Sequence, residues 1–227
     1  MSHTPIAVLG GTFDPVHHGH LRPALELLEE LGLAEVRLVP NAVPPHRRQP
    51  AASAEQRLNM VQLAIADQPG FVLDDRELRR GGPSYTVDTL AELHAEIGPQ
   101  RPLCLLLGRD AFLGLPSWHS WREILSLSHI VVMQRPGYEP EFEEPLAGEI
   151  EQRQTLSPLA LHQRPAGHIL FWQTRNLDIS ATQIRTLLAT GRSPRYLLPE
   201  VVWNYIRQQR LYQPLLGNLG NESNATE

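Results

Sequence analysis

Ile6-Ala7-Val8-Leu9 is an apolar run that stops at Gly10-Gly11, and the stretch Thr12-Phe13-Asp14-Pro15-Val16-His17-His18-Gly19-His20 leads from there into apolar residues at helical spacing. A short apolar run bounded by glycines and followed by a 3.6-residue period predicts a buried strand, a tight loop and a helix N-terminus. Such a junction gathers free backbone N–H groups and the positive end of a helix dipole, which suits a phosphate. His17 and His20 add donors that can carry positive charge near neutral pH. The glycine spacing fits neither the dinucleotide fingerprint nor the Walker loop. Two plainer readings are a tight turn with surface histidines and a metal pair. The chain offers no obvious third and fourth ligands at metal-site spacing, so no metal site is assigned.

The same alternation continues. Ile6–Leu9, Val36–Val39, Phe71–Leu73, Leu103–Leu107, Ile130–Met133 and His168–Trp172 read as strands. Leu21–Leu31, Glu55–Ala66 (N-capped by Ser53), Tyr85–Ile97, Trp121–Leu127, Ala181–Ala189 and Glu200–Gln209 read as helices. Alternating strands and helices predict right-handed crossovers and an α/β, Rossmann-like, doubly wound parallel sheet with a small C-terminal helical part. Residues 1–212 are expected to form one domain. Within it, about 136–165, rich in Glu and Pro, reads as a surface insertion with weak helical content, and residues 213–227 as a frayed tail. In such sheets ligands bind beyond the carboxyl ends of the strands. Three marked loops fall there: 10–20, 40–50 and 108–118.

The composition narrows the partners. A hydrophobic content of 41% supports a packed core, and no segment reads as a membrane span or a signal peptide. The single cysteine, Cys104, rules out a disulfide within the chain, and a cytoplasmic location is the default expectation. The net charge of −5 argues against broad binding to nucleic acid or an anionic membrane. An anionic ligand therefore needs a local cluster of donors; His17–His20, His46-Arg47-Arg48 and Arg76–Arg80 are the candidates.

Late in the chain stands Ile179-Ser180-Ala181-Thr182-Gln183-Ile184-Arg185. Ser180 or Thr182 can cap the helix that begins there, and Arg185 on its first turns offers a fork of donors to phosphate oxygens. Together with His17-His18-Gly19-His20, this stretch resembles the HxGH and ISxTxxR signatures of the nucleotidyltransferase α/β phosphodiesterase superfamily, in the same order. Ala181 departs from the second Ser of many relatives, which removes one possible phosphate contact. The resemblance extends to the bacterial nicotinate-nucleotide adenylyltransferase family through Pro40-Asn41-Ala42-Val43-Pro44-Pro45-His46-Arg47, Pro83-Ser84-Tyr85-Thr86, Gly108-Arg109-Asp110-Ala111-Phe112, Leu115-Pro116-Ser117-Trp118, Arg135-Pro136-Gly137-Tyr138 and Leu198-Pro199-Glu200.

The resemblance implies AMP transfer from ATP to nicotinate mononucleotide, giving deamido-NAD and diphosphate, with Mg²⁺ accompanying ATP. It implies His17 and His20 as catalytic residues. Gly10, Gly11, Thr12, Phe13, Gly19, Ser180, Thr182 and Arg185 would bind ATP. Asn41, His46, Arg47, Thr86, Gly108, Asp110, Trp118 and Arg135 would bind the mononucleotide. Each has a plainer alternative: Trp118 as core, Thr86 and Asp110 as helix caps, Asn41, His46 and Arg47 as solvated loop, Asp14 as a loop organiser. Two rival functions stay open at this point: adenylyl transfer preferring nicotinamide mononucleotide, and a non-catalytic nucleotide sensor.

Overall fold

The computed structural model describes residues 4–42, 49–134, 142–175 and 177–213. In chain order the elements are β1 (Ile6–Gly11), α1 (His18–Glu30), β2 (Glu35–Pro40), α2 (Ala54–Ile65), β3 (Phe71–Leu73), α3 (Arg76–Arg80), α4 (Thr86–Ile97), β4 (Leu103–Gly108), α5 (Arg109–Leu113), α6 (Trp121–Leu127), β5 (His129–Gln134), α7 (Leu146–Arg153), β6 (Gln154–Thr155), β7 (Ile169–Gln173), α8 (Ala181–Ala189) and α9 (Glu200–Gln208). The strands form one sheet in the order β3-β2-β1-β4-β5-β7-β6, and every pairing is parallel. The chain winds outward from β1 in one direction and from β4 in the other. The strand order therefore reverses between these two neighbours, and in sheets of this kind the ligand position lies beyond their carboxyl ends, here at Gly11 and Gly108.

The continuous apolar runs follow from burial on both faces of the sheet. Ala7 and Leu9 face one core cluster while Ile6 and Val8 face the other. Cys104 and Leu106 likewise oppose Leu103, Leu105 and Leu107. Residues of α1, α2, α8 and α9 cover the first face; residues of α4, α5, α6 and α7 cover the second. The C-terminal helices are thus a layer of the α/β fold. Cys104 is buried, and desolvation pushes its thiol up to about 12, so it acts as a small apolar residue.

Three sequence expectations are corrected. The first helix begins at His18 rather than Leu21, so His20 lies on the helix and not in the loop. Arg76–Arg80 is a short helix, and its cations already serve carboxylates: Arg76 pairs with Asp74 and Glu96, each at 2.7 Å, Arg79 with Asp75 at 2.7 Å and Arg80 with Glu92 at 2.8 Å. The described part of the expected insertion supplies α7 and the edge strand β6, and it anchors to the core through the buried side chains of Leu146, Ile150 and Leu161. Among the described residues no helix is long and apolar enough to cross a membrane.

Candidate active site

The β1–α1 loop is built around its histidines. His17 occupies the N-cap of α1 with an extended backbone (φ −151°, ψ 169°), and its ring stacks on that of His20 with centroids 3.7 Å apart. The His17 N–H donates to Nδ1 of His20 at 3.3 Å. A neutral His20 ring then carries its proton on Nε2. Phe13, at φ +50°, brings its ring edge-on to His20 with centroids 5.1 Å apart. His17 is only 4% exposed and its Nδ1 has no hydrogen-bond partner. Burial, reinforced by His20 and then His18, pushes its imidazole down to about 2. His17 is therefore neutral in the unliganded protein, which corrects the expectation of two readily charged imidazoles.

Gly19 shows why the motif needs glycine. A Cβ there would lie 2.9 Å from Nδ1 of His17 and 3.0 Å from the carbonyl oxygen of Ile179. The first residue of the late motif thus presses directly on the glycine of the early one. Gly11 meets the same test: a Cβ would lie 3.0 Å from the ring of Phe13. Gly10, at the end of the strand, has open space around it.

The late motif reaches this place through α1. The carboxylate of Glu26, buried on α1, accepts from Nε of Arg22 and from the N–H of Arg175, both at 2.8 Å. Ser180 is the N-cap of α8 and accepts from the Gln183 N–H at 3.1 Å. Thr182 is therefore not the cap; its Oγ1 accepts from Nη2 of Arg185 at 3.2 Å. Nη1 of Arg185 donates to the backbone carbonyl of Asp14 at 2.7 Å and stands 3.7 Å from that residue's Oδ2. The two signatures are in direct contact despite their separation in the chain.

Around this centre the other predicted residues distribute as follows. The Asn41 N–H donates to the Gly11 carbonyl at 3.0 Å, and its Nδ2 donates to Oγ1 of Thr12 at 3.3 Å, so Asn41 is part of the framework and not a solvated loop residue. Thr86 opens α4 one position after its cap, Tyr85, and so is not a cap. Gly108 caps α5, which leaves Asp110 exposed in the first turn and not capping. Trp118 is half-buried and packs, with Tyr85 and Ala111, against the core of the second face. His46, Arg47 and Arg135 lie outside the described residues.

Sequence reasoning missed two groups beneath the loops, one buried and one partly buried. Arg57 on α2 is 1% exposed. Its guanidinium donates to the carbonyls of Thr12 (2.8 Å), Asn41 (2.7 Å) and Ala42 (3.3 Å), tying the β1–α1 loop to the β2–α2 loop. Its signal was available: Arg57 stands on the same helical stripe as Met60, Val61 and Ile65, where an apolar residue is expected. Tyr212, whose hydroxyl donates to Oδ1 of Asp14 at 2.7 Å, carried no signal at all.

The cytidylyltransferase-like family matches residues 8–187, which include both motifs. The chain is 54% identical over 210 residues to a protein of Aeromonas hydrophila named "Probable nicotinate-nucleotide adenylyltransferase", covering 92% of this chain and 98% of that one. It is 55% identical over 197 residues to a protein of the same name from Halorhodospira halophila, covering 87% and 90%. Among solved structures, the nicotinic acid mononucleotide adenylyltransferase of Plasmodium falciparum complexed with NaAD superposes with a TM-score of 0.68 at 18% identity, covering 92% of this chain and 98% of that one. This last likeness bears on the fold alone. With the family matched along most of the chain and relatives above half identity along nearly all of it, the chain belongs to the cytidylyltransferase-like family and, within it, to the nicotinate-nucleotide adenylyltransferases.

Proposed function

We propose that the chain transfers the adenylyl group of ATP to nicotinate mononucleotide in NAD biosynthesis, at the junction of the β1–α1 loop and the start of α8. A phosphate oxygen of the mononucleotide attacks the α-phosphorus of ATP. The bond to the β-phosphate oxygen breaks, diphosphate leaves, and deamido-NAD remains. The attacking oxygen is already ionised, so the reaction needs neither a general base nor a covalent enzyme intermediate. Alignment and dispersal of negative charge are then the protein's tasks.

Each group has a role that its geometry permits. Nε2 of His20 is the donor for an α-phosphate oxygen, because the His17 amide occupies Nδ1. Neutral His17 offers the unpartnered Nδ1, and an arriving triphosphate favours its protonation by direct charge attraction. Gly10, Gly11, Thr12, Phe13 and Gly19 let the backbone approach the phosphates. Ser180, Thr182 and Arg185 hold the β- and γ-phosphates, with Arg185 exchanging the Asp14 carbonyl for phosphate oxygens. Asn41, Thr86, Gly108, Asp110 and Trp118 face the mononucleotide, and the family resemblance gives the same role to His46, Arg47 and Arg135. An indole face suits the pyridinium ring of nicotinate mononucleotide.

Among the described residues no three His, Cys, Asp or Glu side chains gather as a metal site. The one buried carboxylate in the loop, Asp14, is already engaged by the N–H groups of Ala51 and Ala52 at 2.8 and 3.1 Å. The donor set does not fit a resident Mg²⁺, and the ion belongs with ATP as part of the substrate.

The observation that carries this reading is the close approach of the two motifs at Gly19 and Ile179, which brings two distant segments together where the triphosphate is proposed to bind. The test is diphosphate release from MgATP with nicotinate mononucleotide and, separately, nicotinamide mononucleotide. Release with the acid, exceeding that with the amide, is the expected result. Preference for the amide overturns the substrate assignment, and no release with either leaves a nucleotide sensor in its place.

A further inference from the structure

The buried carboxylate of Asp14 is a hub that joins four parts of the chain. It sits in the β1–α1 loop at 4% exposure. Its Oδ2 accepts from the Ala51 N–H and its Oδ1 from the Ala52 N–H, just before α2. Its backbone carbonyl holds Arg185 of α8. Its Oδ1 also accepts from the phenol of Tyr212, beyond α9. Tyr212 is the only side chain in this group from outside the two motifs and their adjoining loops, and it comes from the far end of the described chain.

The backbone around Tyr212 supports a demanded position. Arg210 and Tyr212 both adopt positive φ, at +53° and +60°, a conformation that a non-glycine residue keeps only where its surroundings hold it there. Two such residues flank Leu211 and turn the chain back, so that the Tyr212 ring packs on the first core cluster and its hydroxyl reaches Asp14. Burial and the Asp14 charge both raise the phenol above its usual range, which keeps it a donor. An ordinary helix terminus followed by a tail needs none of this.

We infer that Tyr212 is a positioning residue for nucleotide binding: its hydroxyl fixes the Asp14 carboxylate and thereby holds the β1–α1 loop and Arg185 ready for the triphosphate. This inference rests on the assignment of Arg185 and the loop to ATP. Without the hydroxyl, Asp14 keeps its two amide donors but loses the side of its shell that faces the C-terminal turn. The carboxylate can then rotate, which alters its ion pair with Arg185, whose Nη1 stands 3.7 Å from Oδ2.

Tyr212→Phe tests this, with Tyr205→Phe as the control. Tyr205 lies on α9, also near the C-terminal end of the described chain, and its variant also loses a hydroxyl contact, since its oxygen accepts from Nδ2 of Asn59 at 3.3 Å. ATP affinity is read by calorimetry without mononucleotide, alongside steady-state kinetics and a thermal melt. Tyr212→Phe should raise the ATP Kd and the ATP KM by about fivefold, the worth of one hydrogen bond, with a much smaller change in kcat. Tyr205→Phe should leave both constants at the wild-type value, whatever its melting temperature. An unchanged ATP Kd in Tyr212→Phe, or equal changes in the two variants, overturns the inference. Absence of diphosphate release by the wild type would instead remove the transfer reading, and the calorimetric comparison would still decide the positioning role.

Discussion

The two rims of the sheet both carry histidines, and they use them in opposite ways. At the amino rim each ring is satisfied by the protein. Nε2 of His94 donates to the Leu127 carbonyl, that of His162 to the Leu31 carbonyl at 2.9 Å, and that of His129 to the Arg164 carbonyl at 2.9 Å. Nδ1 of His129 accepts from the His168 N–H at 3.0 Å, which fixes its tautomer. At the carboxyl rim His17 is buried with Nδ1 unpartnered, and His20 is stacked against it. Burial does not separate the two groups, because His129 is 0% and His17 4% exposed. What separates them is an unmet hydrogen bond, which is costly in a finished core and useful where a ligand will arrive.

The largest expected effect falls on the carboxyl rim. His20→Ala should lower kcat by about 10²–10³, the usual consequence of losing one preorganised donor. Its melting temperature should stay close to that of the wild type, because the ring is only partly buried. Retention of more than half of wild-type turnover would break the comparison.

At the amino rim the effects should fall on stability. His129→Ala orphans the Arg164 carbonyl and the His168 N–H and leaves a void, at a cost of about 2–4 kcal/mol. Its kcat, measured well below the melting temperature, should stay within about twofold of wild type, since no reacting group is touched. The same variant sharpens the pH behaviour. Burial holds the His129 imidazole down to about 4, with His168, Arg164 and His162 adding to the shift. Between about pH 6.5 and 4 the unfolded chain therefore binds a proton at this site that the folded chain refuses. Wild-type stability should fall with decreasing pH by about 1.4 kcal/mol per unit from this group, and His129→Ala should lose that share of the slope. Urea unfolding across this range gives the number; equal slopes in the two proteins would contradict the assignment.

A smaller effect concerns Trp118, which stands between the two behaviours. If its indole stacks on the pyridinium, Trp118→Ala should weaken binding of the mononucleotide about tenfold and leave ATP binding alone. If it serves only the core it packs against, the variant should lose about 3–5 kcal/mol of stability and weaken both ligands together. Separate titrations with a melt distinguish the two.

These contrasts also mark where the sequence was legible. The sheet could be read because strands buried on both faces are continuous apolar runs, as in Leu103–Leu107. The strand–loop–helix junction could be read because an apolar run, a glycine pair and a helical period follow one another there, and Gly19 lies close against His17 and Ile179. The charge of His17 was misread because composition does not reveal burial. The basic run Arg76–Arg80 was misread because two of its carboxylate partners, Glu92 and Glu96, come from a different helix, and only the fold adds them to the neighbouring Asp74 and Asp75. Tyr212 was invisible for the same reason: its hydroxyl matters only because the fold carries it back to Asp14.

The most direct measurement is a long-range ¹H–¹⁵N imidazole spectrum recorded before and after addition of MgATP. The ring nitrogens of His17 and His20 should shift as the triphosphate arrives beside the start of α1, while those of His94, His129 and His162 stay in place. Shifts at the amino-rim histidines with His17 and His20 unchanged would contradict it.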